Sequence, residues 1–228
     1  PFLQKSRSDK KAVILITSNR GLAGGYNSNA VKLLTKDERF TTENTVVYAV
    51  GTKGRDSVER EGYTIAGDYS EAINEPLYAD ASEIGKEVLS KFTMGEIGEI
   101  YLIYTIFKNT MVQIPTMMKL LPINASDITA DAEDVEENPI DRITLMNYEP
   151  APEEALNAII PKYVNSLIFG GLVESHASEN GARMQAMDSA TSNAEEMISD
   201  LSLKYNRARQ ASITQELTEI IAGASAIS

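Results

Sequence analysis

The chain has no cysteine, a single histidine, and only 21 lysines and arginines against 33 aspartates and glutamates in 228 residues. Without cysteine there is no disulfide, no thiolate nucleophile and no cysteine-ligated metal, and nothing argues for secretion. One histidine, His176, cannot build a histidine cluster around a metal. A net charge of −12 argues against a general nucleic-acid or anionic-membrane surface, because both need a basic footprint. No uninterrupted apolar run approaches the roughly 20 residues that cross a bilayer. The opening PFLQKSRSDKK has neither an initiator Met nor a signal-peptide pattern, so the chain is expected to be a segment of a longer one. What remains, 43% apolar and 24% charged residues, is the balance of an ordinary globular protein with enough material for a sizeable core.

The apolar runs come in two rhythms. AVILIT (12–17) and TVVYAV (45–50) are short β-rich runs of the kind buried on both faces of a parallel sheet. Between and after them, 29–40, 51–62 and 78–92 read as helices, with Val31, Leu34 and Phe40, then Ile84, Val88 and Phe92, among the apolar positions. This alternation predicts a Rossmann-like α/β layer with crossover connections over residues 1–150. EIYLIYTIFKN (99–109) and MVQIPTMMKLLP (111–122) read as two long strands joined by a turn at Asn109, with Pro115 placing the second at an edge or a bulge. ASDITADAEDVEENPID (125–141) carries seven acids and no base. It lacks the ligand spacing and glycine of a calcium loop, so it reads as a solvated connector. RITLMNYE (142–149) reads as one more strand.

From residue 151 to 228 the pattern is a single helix, with Pro152 suited to its first turn. Pro161 is a candidate kink, and Gly170, Gly171 and Gly181 each cost about 1 kcal/mol relative to alanine in a helix. About 70 helical residues would extend roughly 105 Å. A domain of about 150 residues has a radius of gyration near 15 Å and cannot cover such a rod. Met187, Thr191, Ala194, Ile198, Leu201, Tyr205, Ala208 and Ser212 recur at spacings of four and three, then the seam shifts to Ile213, Leu217, Ile220 and Ala224. That is a coiled-coil seam, which wants a second helix along it. The partner is expected in another subunit or in a preceding part of the same chain.

Candidate chemistry is sparse. TSNRGLAGGYN (17–27) puts three glycines between a strand and a helix, where many proteins hold phosphates. Gly21, Gly24 and Gly25 miss the G-x-G-x-x-G spacing, no G-K-[ST] follows, and the second strand ends in Val50-Gly51-Thr52 without an acid for a ribose. A structural corner is the simpler reading, the glycines supplying positive φ and close packing. His176 beside Ser175 points apart from it on a helix, as Glu195 does from Glu196, so a surface histidine and a solvated face are the defaults. Lys204, Arg207 and Arg209 gather in LKYNRARQ within an otherwise acidic chain; the default for an arbitrary helix is again a solvated face.

Three blocks, in order along the chain, carry a resemblance. ITQELTEIIAGASA (213–226) resembles the C-terminal signature of the gamma subunit of F-type ATP synthases, and 177–210 and 17–27 are similar to two further blocks of that family, most like its bacterial members. The resemblance covers essentially the whole chain. It implies a non-catalytic rotor shaft without cofactor, catalytic residue or metal, whose long C-terminal helix lies in an antiparallel coiled coil with the family's N-terminal helix. That N-terminal helix is missing from this sequence. The implied partners are the alpha and beta subunits of the catalytic hexamer, the epsilon subunit and the ring of membrane c subunits. The implied location is the cytoplasmic side of the inner (plasma) membrane, peripherally bound. It implies that Arg209 and Gln210, with Thr214 and Glu216, meet loops of the beta subunits, that Lys204 and Arg207 belong to the same contact, and that Arg183 faces the hexamer farther down. Ala23 stands where the family often has cysteine, and the paired-cysteine insert of the chloroplast type is absent, which excludes thiol regulation of that kind. Two other readings stay open on the residues: a Rossmann-like nucleotide-binding enzyme with a helical oligomerisation arm, and a generic coiled-coil scaffold.

Overall fold

A computed structural model of the chain describes residues 8–123 and 152–227. The acidic connector and the strand expected over 142–149 lie outside the described residues. The chain divides into two units, Pro1–Gln185 and Ala186–Ser228.

In the first unit, strands β1 (Lys11–Ile16), β2 (Thr45–Val50), β3 (Thr64–Asp68), β4 (Glu99–Phe107) and β5 (Gln113–Leu121) form one sheet in the order β3-β2-β1-β4-β5. The first four are parallel and β5 is antiparallel to β4. Helices α1 (Tyr26–Thr35), α2 (Thr52–Arg60) and α3 (Tyr78–Thr93) make the crossovers. From β1 to β3 the chain steps in one direction, then jumps back past β1 to β4. Right-handed crossovers therefore put α1 and α2 on one face and α3 on the other. The core agrees. Val13 and Leu15 pack with Ala30, Val31, Leu34 and Val58. Ala12, Ile14 and Ile16 face Ile84, Val88 and Phe92 of α3. Alternation along β1 sends its side chains into two separate cores.

The long helix α4 spans Pro152–Ile227 and runs through Pro161. Ile160, Val164, Ile168 and Leu172 belong to the same core as α3, and this packing on either side of Pro161 holds the helix against the loss of one internal hydrogen bond. The glycines that lower its local propensity have a use here. A Cβ on Gly171 would stand 3.1 Å from Leu102, and one on Gly181 would stand 3.0 Å from Phe107, so both mark close approach to the sheet.

Several boundaries differ from the sequence reading. α1 begins three residues earlier than expected and ends at Thr35, so Phe40 is not helical. It is still buried, in the loop before β2, where the Tyr63 hydroxyl donates to its carbonyl at 3.1 Å. β3 and the 3-10 turn Ser70–Ile73 have no counterpart in the expected elements. Pro115 lies on β5, the outermost strand on its side of the sheet among the described residues.

Candidate functional site on the long helix

The glycine block is a cap. Gly51 precedes α2, and the first three N–H groups of that helix all find acceptors in the stretch after β1. Thr52 N–H donates to Asn19 Oδ1 at 3.0 Å, Lys53 N–H to the Ser18 carbonyl at 3.0 Å, and Gly54 N–H to Thr17 Oγ1 at 2.9 Å. These are the groups that would otherwise attract an anion at a helix start. Asn19 also donates to the Ser70 carbonyl at 2.8 Å, and Ser18 N–H donates to Asn27 Oδ1 at 2.9 Å. Of the three glycines only Gly24 has positive φ, at 55°; the other left-handed residue is Leu22, at 63°. In an open α/β sheet, ligands bind at the switch point where strand order reverses, which here lies between β1 and β4. That crevice is filled from within. Tyr26 clusters with Ala23 and Ala182, and its hydroxyl donates to the Ser175 carbonyl at 3.1 Å. Burial pushes the Tyr26 phenol far above its ordinary value.

His176 corrects the surface expectation: it is half-buried, and its Nδ1–H donates to the Ile73 carbonyl at 2.9 Å, tying α4 to the 3-10 turn. Ser175 is fully buried and engages Thr105 instead. Another polar hollow is lined by Lys11, Arg39, Glu99, Tyr101, Met117 and Lys119. Its charges are internally matched. Arg39 pairs with Asp37 at 2.6 Å, Lys119 with Glu99 at 2.7 Å, and Lys11 Nζ donates to the Arg39 carbonyl at 2.9 Å. Burial alone would raise the Glu99 carboxyl, but the Lys119 ammonium and the Tyr101 hydroxyl hold it below the usual value. Burial and the Glu99 charge push the Tyr101 phenol up to about 12.

The second unit presents the opposite situation. Every residue from 187 to 226 is exposed, including seam residues Ile198 at 64%, Leu201 at 63% and Tyr205 at 68%. Ile198, Leu201, Ser202, Tyr205 and Asn206 line a shallow hollow. So long a run of exposed apolar side chains is uncommon on a protein surface. Lys204, Arg207, Arg209 and Glu216 are also exposed and make no ion pair among the described residues. The backbone carbonyl of Gln210 accepts from the Thr214 hydroxyl at 2.8 Å, a local bond along the helix.

At about 100° per residue, these side chains do not form one patch. Arg207, Gln210 and Thr214 share a face roughly opposite the seam, at spacings of three and four. Arg209 and Glu216, seven apart, border the seam on one side and Lys204 on the other. Arg183 belongs to the first unit, and its guanidinium is bound to the buried Glu179 at 2.6 Å, one turn earlier. The residues that sequence reasoning missed are Thr17, Ser18 and Asn19, whose capping role depends on α2 more than 30 residues away. The polar Thr-Ser-Asn run directly after a buried strand was the available signal.

The chain is similar to known proteins along its length. The family model described as ATP synthase matches residues 1–227. An ATP synthase gamma chain of Lachnoclostridium phytofermentans is 64% identical over 227 residues, covering 100% of this chain and 77% of that one. A gamma chain described as sodium ion specific, from Acetobacterium woodii, is 44% identical and covers 99% of this chain and 78% of the relative. The fold is similar to a chain of the Euglena gracilis mitochondrial ATP synthase, with a TM-score of 0.68 at 20% identity over 98% of this chain and 74% of that one. It is also similar to one in the central stalk and c-ring structure from Tetrahymena thermophila, at 0.59 and 24% identity over 82% and 79%. With two buried α/β cores, a long exposed apolar seam, and identity of this depth across the whole sequence, the chain belongs to the family of ATP synthase gamma chains.

Proposed function

We propose that this chain is the turning central shaft of an F-type ATP synthase, and that bonds are made and broken on its neighbours. The observation that carries the reading is the uniformly exposed helix over 187–226, whose 3.5-residue seam needs a helical partner while its charged groups need polar ones. The seam would pair with the family's N-terminal helix. Lys204, Arg207, Arg209, Gln210, Thr214 and Glu216 would meet alpha and beta subunits, and Arg183 would face the hexamer once freed from Glu179. The α/β unit would bear on the epsilon subunit and the c-ring. Among the described residues no helix is long and apolar enough to cross a membrane, which fits peripheral attachment through the complex at the cytoplasmic side of the plasma membrane.

Physically, an asymmetric rod is a ligand that touches three copies of one subunit differently. Swinging a site from 1:99 to 99:1 between two conformations takes about 5.5 kcal/mol of differential interaction. Several exposed polar and charged side chains around a helix can supply energy of that order. Turning the rod then hands the bias from one site to the next, and rotation becomes a change in nucleotide affinity. Deep apolar anchors would have to be undone at every step, whereas Arg207, Arg209 and Gln210 exchange partners at low cost.

Proton flow is the driving force in this reading. Sodium dependence of ATP synthesis in vesicles holding the intact complex separates it from a sodium-coupled machine. The central test is co-purification: a tagged chain is expected to bring alpha, beta and epsilon subunits with it. Recovery of the chain alone, or only as its own oligomer, would sink the shaft reading and favour a scaffold.

A further inference from the structure

Strand β4 outruns its neighbour. The pairing of β1 with β4 stops at Leu15↔Ile103, whereas β4 continues against β5 to Phe107↔Gln113. Thr105 stands opposite Pro115. Proline has no N–H to exchange, so these two cannot form a mutually hydrogen-bonded antiparallel pair. The Thr105 N–H and C=O must therefore face away from β5, toward the side that β1 has already left. Phe107, two residues on, faces the same way. Buried backbone groups in that position need partners.

One helix supplies partners for three of them. The Thr105 N–H donates to Ser175 Oγ at 3.1 Å, the Ser178 hydroxyl donates to the Thr105 carbonyl at 2.9 Å, and the Phe107 N–H donates to Glu174 Oε2 at 2.7 Å. Ser175 and Ser178 are fully buried. Three side chains of α4 thus take the place of the missing strand. Close approach at Gly181, whose Cβ would stand 3.0 Å from Phe107, keeps the helix near enough for them to reach.

We propose that Glu174, Ser175 and Ser178 are a torsional clamp, fixing the rotation and register of α4 on the sheet so that turning the α/β unit turns the helix without slip. The proposal rests on the shaft reading. The apolar contacts of Ile160, Val164, Ile168 and Leu172 resist separation but are non-directional and tolerate sliding. Hydrogen bonds do not. Rotating the helix by one residue, about 100°, or sliding it one turn, about 5.4 Å, carries all three partners out of bonding range. It would leave the buried Thr105 amide and carbonyl unpaired, which costs more than the net value of the bonds themselves. The clamp is a set of positioning residues acting on the helix, with no role in nucleotide chemistry.

The test uses the assembled complex. With any cysteine of the other subunits replaced, Glu59→Cys on the exposed side of α2 gives one attachment point for a bead within this sequence, which has no cysteine of its own. The angular variance of the bead is read while the complex waits for nucleotide. Variance varies inversely with torsional stiffness, so Ser175→Ala with Ser178→Ala is expected to raise it about twofold if the clamp carries half the stiffness. Glu174→Gln, whose amide oxygen still accepts from Phe107, should leave it at the parent value. Should the double variant fail to assemble, Glu174→Ala alone serves: the Phe107 amide should exchange hydrogen about tenfold faster, together with a larger variance. A bead that turns normally with unchanged variance in these variants overturns the clamp and leaves the shaft standing. A parent complex whose bead does not turn on ATP overturns both.

Discussion

Gly171 lies against Leu102: a Cβ built on this glycine would stand 3.1 Å from Leu102 Cδ2, with Ile16 Cδ1 at 3.4 Å and Tyr104 Cβ at 3.5 Å. Its neighbour Gly170 is exposed and has nothing within 4 Å. Two adjacent glycines of one helix should therefore respond in opposite directions. Gly170→Ala is expected to stabilise the first unit by about 1 kcal/mol through helix propensity. Gly171→Val is expected to destabilise it by about 2 kcal/mol through overpacking and the β-branch. Urea unfolding of the two variants beside the parent measures both signs.

Gly51 carries the opposite kind of constraint. Its φ is 106°, and a Cβ there would fall 2.3 Å from the Thr17 carbonyl oxygen. Gly51→Ala should cost about 3 kcal/mol, from backbone strain added to the displacement of Thr17 from the start of α2. A thermal melt that leaves the variant within experimental error of the parent would contradict the capping role given to Thr17.

The Glu99–Lys119 pair sets a dependence on acid. Because the folded state holds the Glu99 carboxyl below its ordinary value, its contribution to stability is present above the unfolded glutamate value of about 4.3 and lost as pH falls through the folded one. Lys119→Met should lower stability by about 1 kcal/mol at neutral pH, the pair being only partly shielded. The gap between variant and parent should close as pH falls toward the folded value of Glu99. Denaturant titrations at pH 7 and at about pH 3 bracket that window. A gap that widens in acid would reverse the assignment.

On the long helix, Arg209→Ala with Gln210→Ala is expected to lower coupled ATP turnover roughly fivefold or more in the assembled complex. Unfolding of the α/β unit should not change, since both residues are exposed and lie in the other unit. Unaltered turnover removes the pair from the mechanism.

How much of this was legible beforehand follows from how local each signal is. β1, β2, β4 and β5 announce themselves as apolar runs, and the strand–helix alternation gave the layered α/β fold. β3 did not, because TIAGD is short, half-exposed, and ends in a glycine and an acid. Phe40 was read into the helix as an apolar position of 29–40, yet it lies six residues past Leu34, off that helical face, and is buried by the turn that follows α1. The helical period from Met187 to Ala224 is a local signal, and the helix it predicts is present. The capping by Thr17, Ser18 and Asn19, the Nδ1 bond of His176 and the bonds of Ser175 and Ser178 to Thr105 join residues 33 to 103 positions apart. No spacing rule reports these pairings: the Thr-Ser-Asn run after β1 hints at a cap, but its partner helix becomes visible only once the sheet order is known.

Pro115 has a further effect on β5, the outermost strand on its side among the described residues. A foreign strand laid alongside β5 would meet a ring carbon where it needs an amide hydrogen. The opposite rim, β3, is only five residues long and closes on Asp68, whose carboxylate is engaged by Arg55. Among the described residues, both outer strands of the sheet thus discourage copies of the chain from pairing edge to edge.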